Sequence, residues 1–137
     1  MGFLTGKTAI ITGAGRAVLK DGSCGSIGYG IVTAYAKEGS NLVITGRNVK
    51  KLEAAKQELE SLYGIKVLTV QADVCAGGDN EATVANVVKQ AVDTFGGIQV
   101  LINNAQASAS GVPLAEHTTE QFDLAIYSGL YLSLIHI

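Results

Sequence analysis

Four short runs of apolar, mostly β-branched residues, each followed by a stretch with helical spacing, constrain this chain more than any other feature. TAIIT (Thr8–Thr12), NLVIT (41–45), KVLTVQA (66–72) and IQVLI (98–102) have the continuous apolar character of strands buried on both faces. Between the first two, Ile31, Ala34 and Tyr35 recur at helical spacing, and KEGS closes that helix at Gly39. Asn48 caps a second helix that presents Leu52, Ala55, Leu59 and Leu62 on one face and ends at Gly64. Asp79 can cap a third, with Val84, Val87, Val88, Ala91, Val92 and Phe95 as its apolar face and Gly96–Gly97 as its stop. Thr118 with Gln121 forms a capping box for a fourth helix through Phe122, Leu124 and Ala125. The order is βαβαβαβα, with no shorter repeat and no low-complexity linker. Strict alternation of buried strands and amphipathic helices predicts an α/β fold, a doubly wound parallel sheet with right-handed crossovers.

The first βα turn is unusual. TGAGRAVLKDGSCGSIGYG (12–30) carries Gly13 and Gly15 early and Gly25, Gly28 and Gly30 about ten residues later. One strand precedes it and one helix follows, so the two glycine clusters belong to a single turn with 17–25 inserted. Gly13 allows the tight turn, Gly28 lets a backbone approach a pyrophosphate, and Gly30 lets the helix lie close to the sheet. The helix N-terminus behind such a turn offers free N–H groups and a positive dipole end to phosphate oxygens. The Gly, Ser and Asp content of the insertion predicts turns, and we expect a mobile surface excursion over the phosphates. GFLTGKT (2–8) is one residue too short for a P-loop and follows no strand, so a nucleotide triphosphatase is not indicated.

Composition narrows the classes further. Ten basic against twelve acidic residues give a net charge of -2, which leaves no basic footprint for nucleic acid. No apolar run reaches the roughly 18 residues a membrane span needs. The N-terminal residues lack the pattern of a secretory leader, and Gly6 stands where a myristoylation signal requires Ser or Thr. Cys24 and Cys75 have no metal-ligand spacing and suit a reducing compartment. The expected location is cytoplasmic, with no metal site.

Read together, TGAGR after the first strand, IGYGIVTAYAKEGSNLVITGRN, ADV after the third strand and LINNAQ after the fourth resemble the N-terminal half of the short-chain dehydrogenase/reductase family. The blocks and their spacing cover residues 3–131, and the resemblance is to its 3-oxoacyl-carrier-protein reductase-like members. It implies a Rossmann-type sheet, incomplete here at about four strands with flanking helices. It also implies that Gly13, Ala14, Gly15, Arg16, Ile27 and Gly28 form the phosphate loop, and that Asp73 and Val74 lie beside an adenine ring. Asn103, Asn104 and Ala105 match the block that stabilises the central sheet and borders the nicotinamide ribose. Three positions depart from the pattern. The long first turn, with Ala17 where glycine is common, is similar to that of the enoyl reductase branch. Gln106 replaces the last glycine of the Asn-Asn-Ala-Gly block, and Gly129 stands where many members carry an active-site Asn.

The resemblance further implies hydride transfer between a nicotinamide cofactor and a carbonyl or alcohol substrate, in a parent protein that is a homodimer or homotetramer. The end of the second strand reads ITGRN, with Gly46 in the place of an acidic acceptor for a ribose 2′-hydroxyl and Arg47 next. A guanidinium there pairs with a 2′-phosphate, with Arg16 as a second partner, so NADP(H) is expected rather than NAD(H). No catalytic residue is assigned. The family's Ser and Tyr-x-x-x-Lys have no counterpart among Tyr29, Tyr35, Tyr63, Tyr127 and Tyr131, and His117 and His136 lack partners for catalysis. The last residues, LSLIHI (132–137), are expected to be a non-native tail on one truncated dinucleotide-binding domain spanning 1–137. A 3-oxoacyl thioester, a steroid and a sugar ketone all fit as substrates. The alternative is a nucleotide-binding module with no chemistry of its own.

Overall fold

A computed structural model describes residues 2–73 and 80–131. The predicted alternation is present as β1 (Thr8–Thr12), α1 (Ile27–Lys37), β2 (Asn41–Gly46), α2 (Val49–Tyr63), β3 (Val67–Gln71), α3 (Asn80–Phe95), β4 (Val100–Ile102) and α4 (Thr119–Ile126). The four strands are parallel in the order β3-β2-β1-β4. The chain therefore winds outward from β1 to β3 and returns to the other side of β1, which puts a topological switch point between β1 and β4.

Alternation along the strands divides the core into two layers. Ala9 and Ile11 of β1 and Leu42 and Ile44 of β2 face α1 and α2, where they meet Val32, Ala36, Leu52, Ala55 and Leu59. Ile10 and Val43 face the opposite way and pack with Val70, Val87 and Ala91 beneath α3. Helix ends follow their capping signals. Ser26, Asn48 and Thr118 are N-caps, the last in a complete capping box, and Gly64 closes α2 in the left-handed conformation.

Several sequence expectations are corrected. The fully buried face of α1 is Tyr29, Val32 and Ala36; of the predicted residues, Ile31 and Tyr35 pack half-buried against the same core and Ala34 is exposed. Leu62 is 64% exposed because the inward stripe of α2 runs through Leu52, Ala55 and Leu59 to Tyr63, and Leu62 lies to one side of it. Val88 and Val92 are also exposed, since only Val84, Val87 and Ala91 are buried on α3. β4 pairs with β1 over only three residues, because before it Gln99 spends its backbone N–H on Thr8 O (3.0 Å) and its side chain on Thr8 N (2.7 Å). The cap expected at Asp79 lies outside the described residues.

The insertion after Arg16 lies on the surface, as expected, but as a miniature hairpin. Val18 bridges Cys24 in antiparallel fashion, and Gly25 N–H donates to Ala17 O (2.8 Å). Leu19 and Gly22 close the tip, with Gly22 at φ +84°, the left-handed position of a hairpin loop that glycine fills without strain. The Asp21 carboxylate accepts from both the hydroxyl (2.6 Å) and the N–H (3.0 Å) of Ser23, which holds its pKa below the ordinary value. Among the described residues, no helix is long and apolar enough to cross a membrane.

Candidate functional site

The carboxyl ends of the four strands open on one side of the sheet, and the chain around the switch point is tightly stitched there. Thr12, the buried last residue of β1, accepts at Oγ1 from the N–H groups of Asn104 (3.0 Å) and Ala105 (2.9 Å). In return Asn104 Nδ2 donates to Thr12 O (2.9 Å) and Gly13 O (3.2 Å). The loop after β1 is tied to the next strand as well, through Ala14 N–H to Thr45 O (3.1 Å) and Arg16 N–H to Lys51 O (2.9 Å).

Two glycines are dictated by this geometry. Gly13 sits at φ +68°, a region an L side chain rarely adopts. A Cβ on Gly28 would lie 2.2 Å from Gly13 O and 2.6 Å from Asn104 Nδ2, so no side chain fits. Gly28 therefore docks the start of α1 directly on the turn after β1. Gly30, expected to provide that close approach, does not: a Cβ there would meet only Cys24 Cβ at 3.8 Å. The physical reason is rotation, because the contact falls on the first turn of α1, at Gly28.

The N-cap of α1, Ser26, borders a cavity between the loop and α2. Ser26 Oγ takes the Tyr29 N–H (3.3 Å), while the N–H groups of Ile27 and Gly28 have no acceptor among the described residues. The Ile27 side chain is 78% exposed, so this residue contributes its backbone. The N–H groups of Ala14 and Arg16, by contrast, are already committed to Thr45 and Lys51, so those residues shape the loop. Free N–H groups at the positive end of an 11-residue helix suit phosphate oxygens.

Two adjoining cavities flank this point. One of about 210 Å³ crosses the strand ends and is bordered by Gly13, Arg47, Asp73, Asn104, Ala105 and Gln106. The other, of about 260 Å³, lies between the loop and α2 and is bordered by Gly15, Arg16, Ser26, Arg47, Asn48 and Lys51. Arg47 belongs to both. It is exposed, and its guanidinium makes no ion pair among the described residues. Arg16 differs from expectation in being engaged: its Nε is held by the Glu58 carboxylate, which raises the guanidinium pKa above its ordinary value. It still borders the second cavity beside Arg47 and Lys51. Val74 lies outside the described residues.

The site as described has cation and amide recognition but no acid–base pair. Burial, reinforced by Glu58, pushes the Tyr29 phenol up to about 12, so it stays protonated at neutral pH. His117 is half-buried, with Nε2 3.1 Å from Val112 O of its own loop. Among the described residues no cluster of His, Cys, Asp or Glu suits a metal ion.

Thr12 is the functional position the sequence analysis missed. A threonine closing a β-branched strand reads as filler, and nothing local marks its hydroxyl as the partner of residues 92 and 93 positions away. Thr12→Val keeps the shape and strands two N–H groups. We expect it to cost about 1–3 kcal/mol, read by thermal denaturation, while Thr12→Ser stays close to the parent.

Comparison with known proteins accords with this geometry. The family model described as short chain dehydrogenase matches residues 7–128. The chain is 56% identical over its full length to a 12alpha-hydroxysteroid dehydrogenase of Clostridium sp., of which it spans 50%. It is 36% identical over 113 residues, 82% of its own length, to 3beta-hydroxysteroid dehydrogenase 2 of Eggerthella lenta, covering 38% of that protein. Among solved structures, L-sorbose reductase from Gluconobacter frateurii, complexed with NADPH and L-sorbose, superposes with a TM-score of 0.80 at 29% identity. That match covers 99% of this chain and 46% of the reductase. The chain thus spans about half the length of the relatives it matches. With its parallel sheet, its glycine-docked first helix and a match across residues 7–128, the chain belongs to the short-chain dehydrogenase family.

Proposed function

We propose that this chain is the dinucleotide-binding half of an NADP(H)-dependent oxidoreductase that interconverts a steroid alcohol and its ketone. The observation that carries the reading is Arg47, exposed and without an ion pair among the described residues, at the end of β2 on the border of both cavities. A dinucleotide would place its pyrophosphate on the N–H groups of Ile27 and Gly28. Gly13 and Gly15 let the loop pack closely on Ala105 and Lys51, and the adenosine half would lie towards Asp73. Asn104 and Ala105 would border the ribose. Gly46 offers no carboxylate to a ribose 2′-hydroxyl, whereas Arg47, with Lys51 and the Glu58-held Arg16 nearby, suits a 2′-phosphate. The NADPH complex of the sorbose reductase supports the same cofactor class.

The bound nicotinamide supplies or accepts the hydride. This chain's own residues bind and orient it, and the proton-transferring group is contributed by sequence beyond the segment. The steroid assignment rests on the 56% identity to the Clostridium enzyme. The whole protein is proposed to be a cytoplasmic homo-oligomer of two or four subunits.

The test is oxidation of a 12α-hydroxysteroid by the full-length protein with NADP⁺, followed by nicotinamide absorbance. We expect turnover with NADP⁺ and little with NAD⁺. Absence of turnover despite tight NADPH binding would reject the steroid assignment and leave the cofactor assignment standing.

A further inference from the structure

Two positions that break the family pattern, Gln106 and Gly129, meet in space. A Cβ built on Gly129 would lie 3.5 Å from Gln106 Nε2, 3.7 Å from Cδ and 3.8 Å from Cγ, in van der Waals contact along the carboxamide. Alanine would fit at 129 in ordinary van der Waals contact, whereas a bulky side chain such as leucine would crowd the amide. The joint is fixed on both sides. Buried Ser128 accepts at Oγ from Ala107 N–H (2.9 Å) and donates to Ala107 O (3.0 Å), which fastens the turn carrying Gly129 to the loop carrying Gln106.

The Gln106 side chain is exposed at the mouth of the cleft. It borders the cavity of about 210 Å³ together with Asp73, Asn104 and Ala105. A primary amide is donor and acceptor at once, as a sugar hydroxyl is, so the two groups suit each other. We propose that Gln106 contacts the ligand of this cleft, its carboxamide hydrogen-bonding a ribose hydroxyl common to NADPH and NADH, and that Gly129 is the clearance that seats it. This rests on the dinucleotide reading above.

The experiment is titration of NADPH and NADH into the full-length protein, with nucleotide fluorescence giving Kd directly and independently of turnover. A net neutral hydrogen bond corresponds to roughly two- to tenfold in affinity. Gln106→Ala is therefore expected to weaken both nucleotides by about that factor and to leave their ratio unchanged. Gly129→Leu should do the same by displacing the amide, whereas Gly129→Ala should stay within about twofold of the parent. If the parent binds NADPH and Gln106→Ala alters neither Kd, the inference is overturned and the dinucleotide reading survives. If the parent binds neither nucleotide, both fall. Should Gly129→Leu fail to fold, Gln106→Ala decides alone.

Discussion

Replacing Gly28 by alanine is expected to abolish dinucleotide binding and to destabilise the protein by about 3 kcal/mol or more. Overpacking a core costs typically ~1–3 kcal/mol, and the upper end applies where the obstacle is backbone. Here the added methyl would stand 2.2 Å from the Gly13 carbonyl oxygen. That carbonyl cannot swing aside, because it accepts from Asn104 Nδ2 and belongs to the turn that Thr12 locks to the strand beyond. Relief requires the start of α1 to lift off the sheet, which moves the Ile27 and Gly28 N–H groups away from the phosphate position. Gly30→Ala is the control: its new Cβ would find only Cys24, at 3.8 Å, and stability should be unchanged or slightly improved. Thermal denaturation of the pair, with and without NADPH, checks both statements. Equal stability of the two variants would show that the helix does not dock through Gly28.

The second large effect is expected at Arg47. A charge-assisted contact to a 2′-phosphate contributes about 1.5–3 kcal/mol, or roughly ten- to a hundredfold in affinity. Arg47→Asp removes that contact and places a carboxylate where a ribose 2′-hydroxyl can donate to it. NADPH binding should fall by at least about tenfold while NADH binding improves, so that the preference inverts. Arg16→Ala is expected to have a smaller effect, because Glu58 already engages the Arg16 Nε. Equal response of the two nucleotides to Arg47→Asp would remove the basis for the NADP(H) assignment.

Much of this fold can be read from the sequence, because buried parallel strands announce themselves as continuous apolar runs and the helices between them carry ordinary caps. β1 and the capping box at Thr118 fall where the residues indicate. The rotation of α1 could not be read, because it is set by one contact between Gly28 and the Gly13 carbonyl and not by the helix's own apolar pattern. That contact turns Tyr29, Val32 and Ala36 inward and leaves Ala34 outside. The candidate site shows the same division. Glycines and arginines around the first two strands are visible as motifs. The Thr12–Asn104 stitch and the Gln106–Gly129 contact join residues far apart in sequence, and no local signal records them. Engagement of Arg16 by Glu58 is likewise a product of how α2 packs beside the loop. In the insertion, the Gly, Ser and Asp content did signal turns, and the surrounding hydrogen bonds extend them into a hairpin.

We propose that the open N–H groups at the start of α1, docked by Gly28, receive the phosphates of a nicotinamide dinucleotide. Backbone amide NMR of the full-length protein during NADPH titration tests this most directly. Saturable shifts are expected at Ile27 and Gly28, with much smaller changes at Ala14, whose N–H is already bonded to Thr45. Saturation with NADPH that leaves Ile27 and Gly28 unmoved would contradict the proposal.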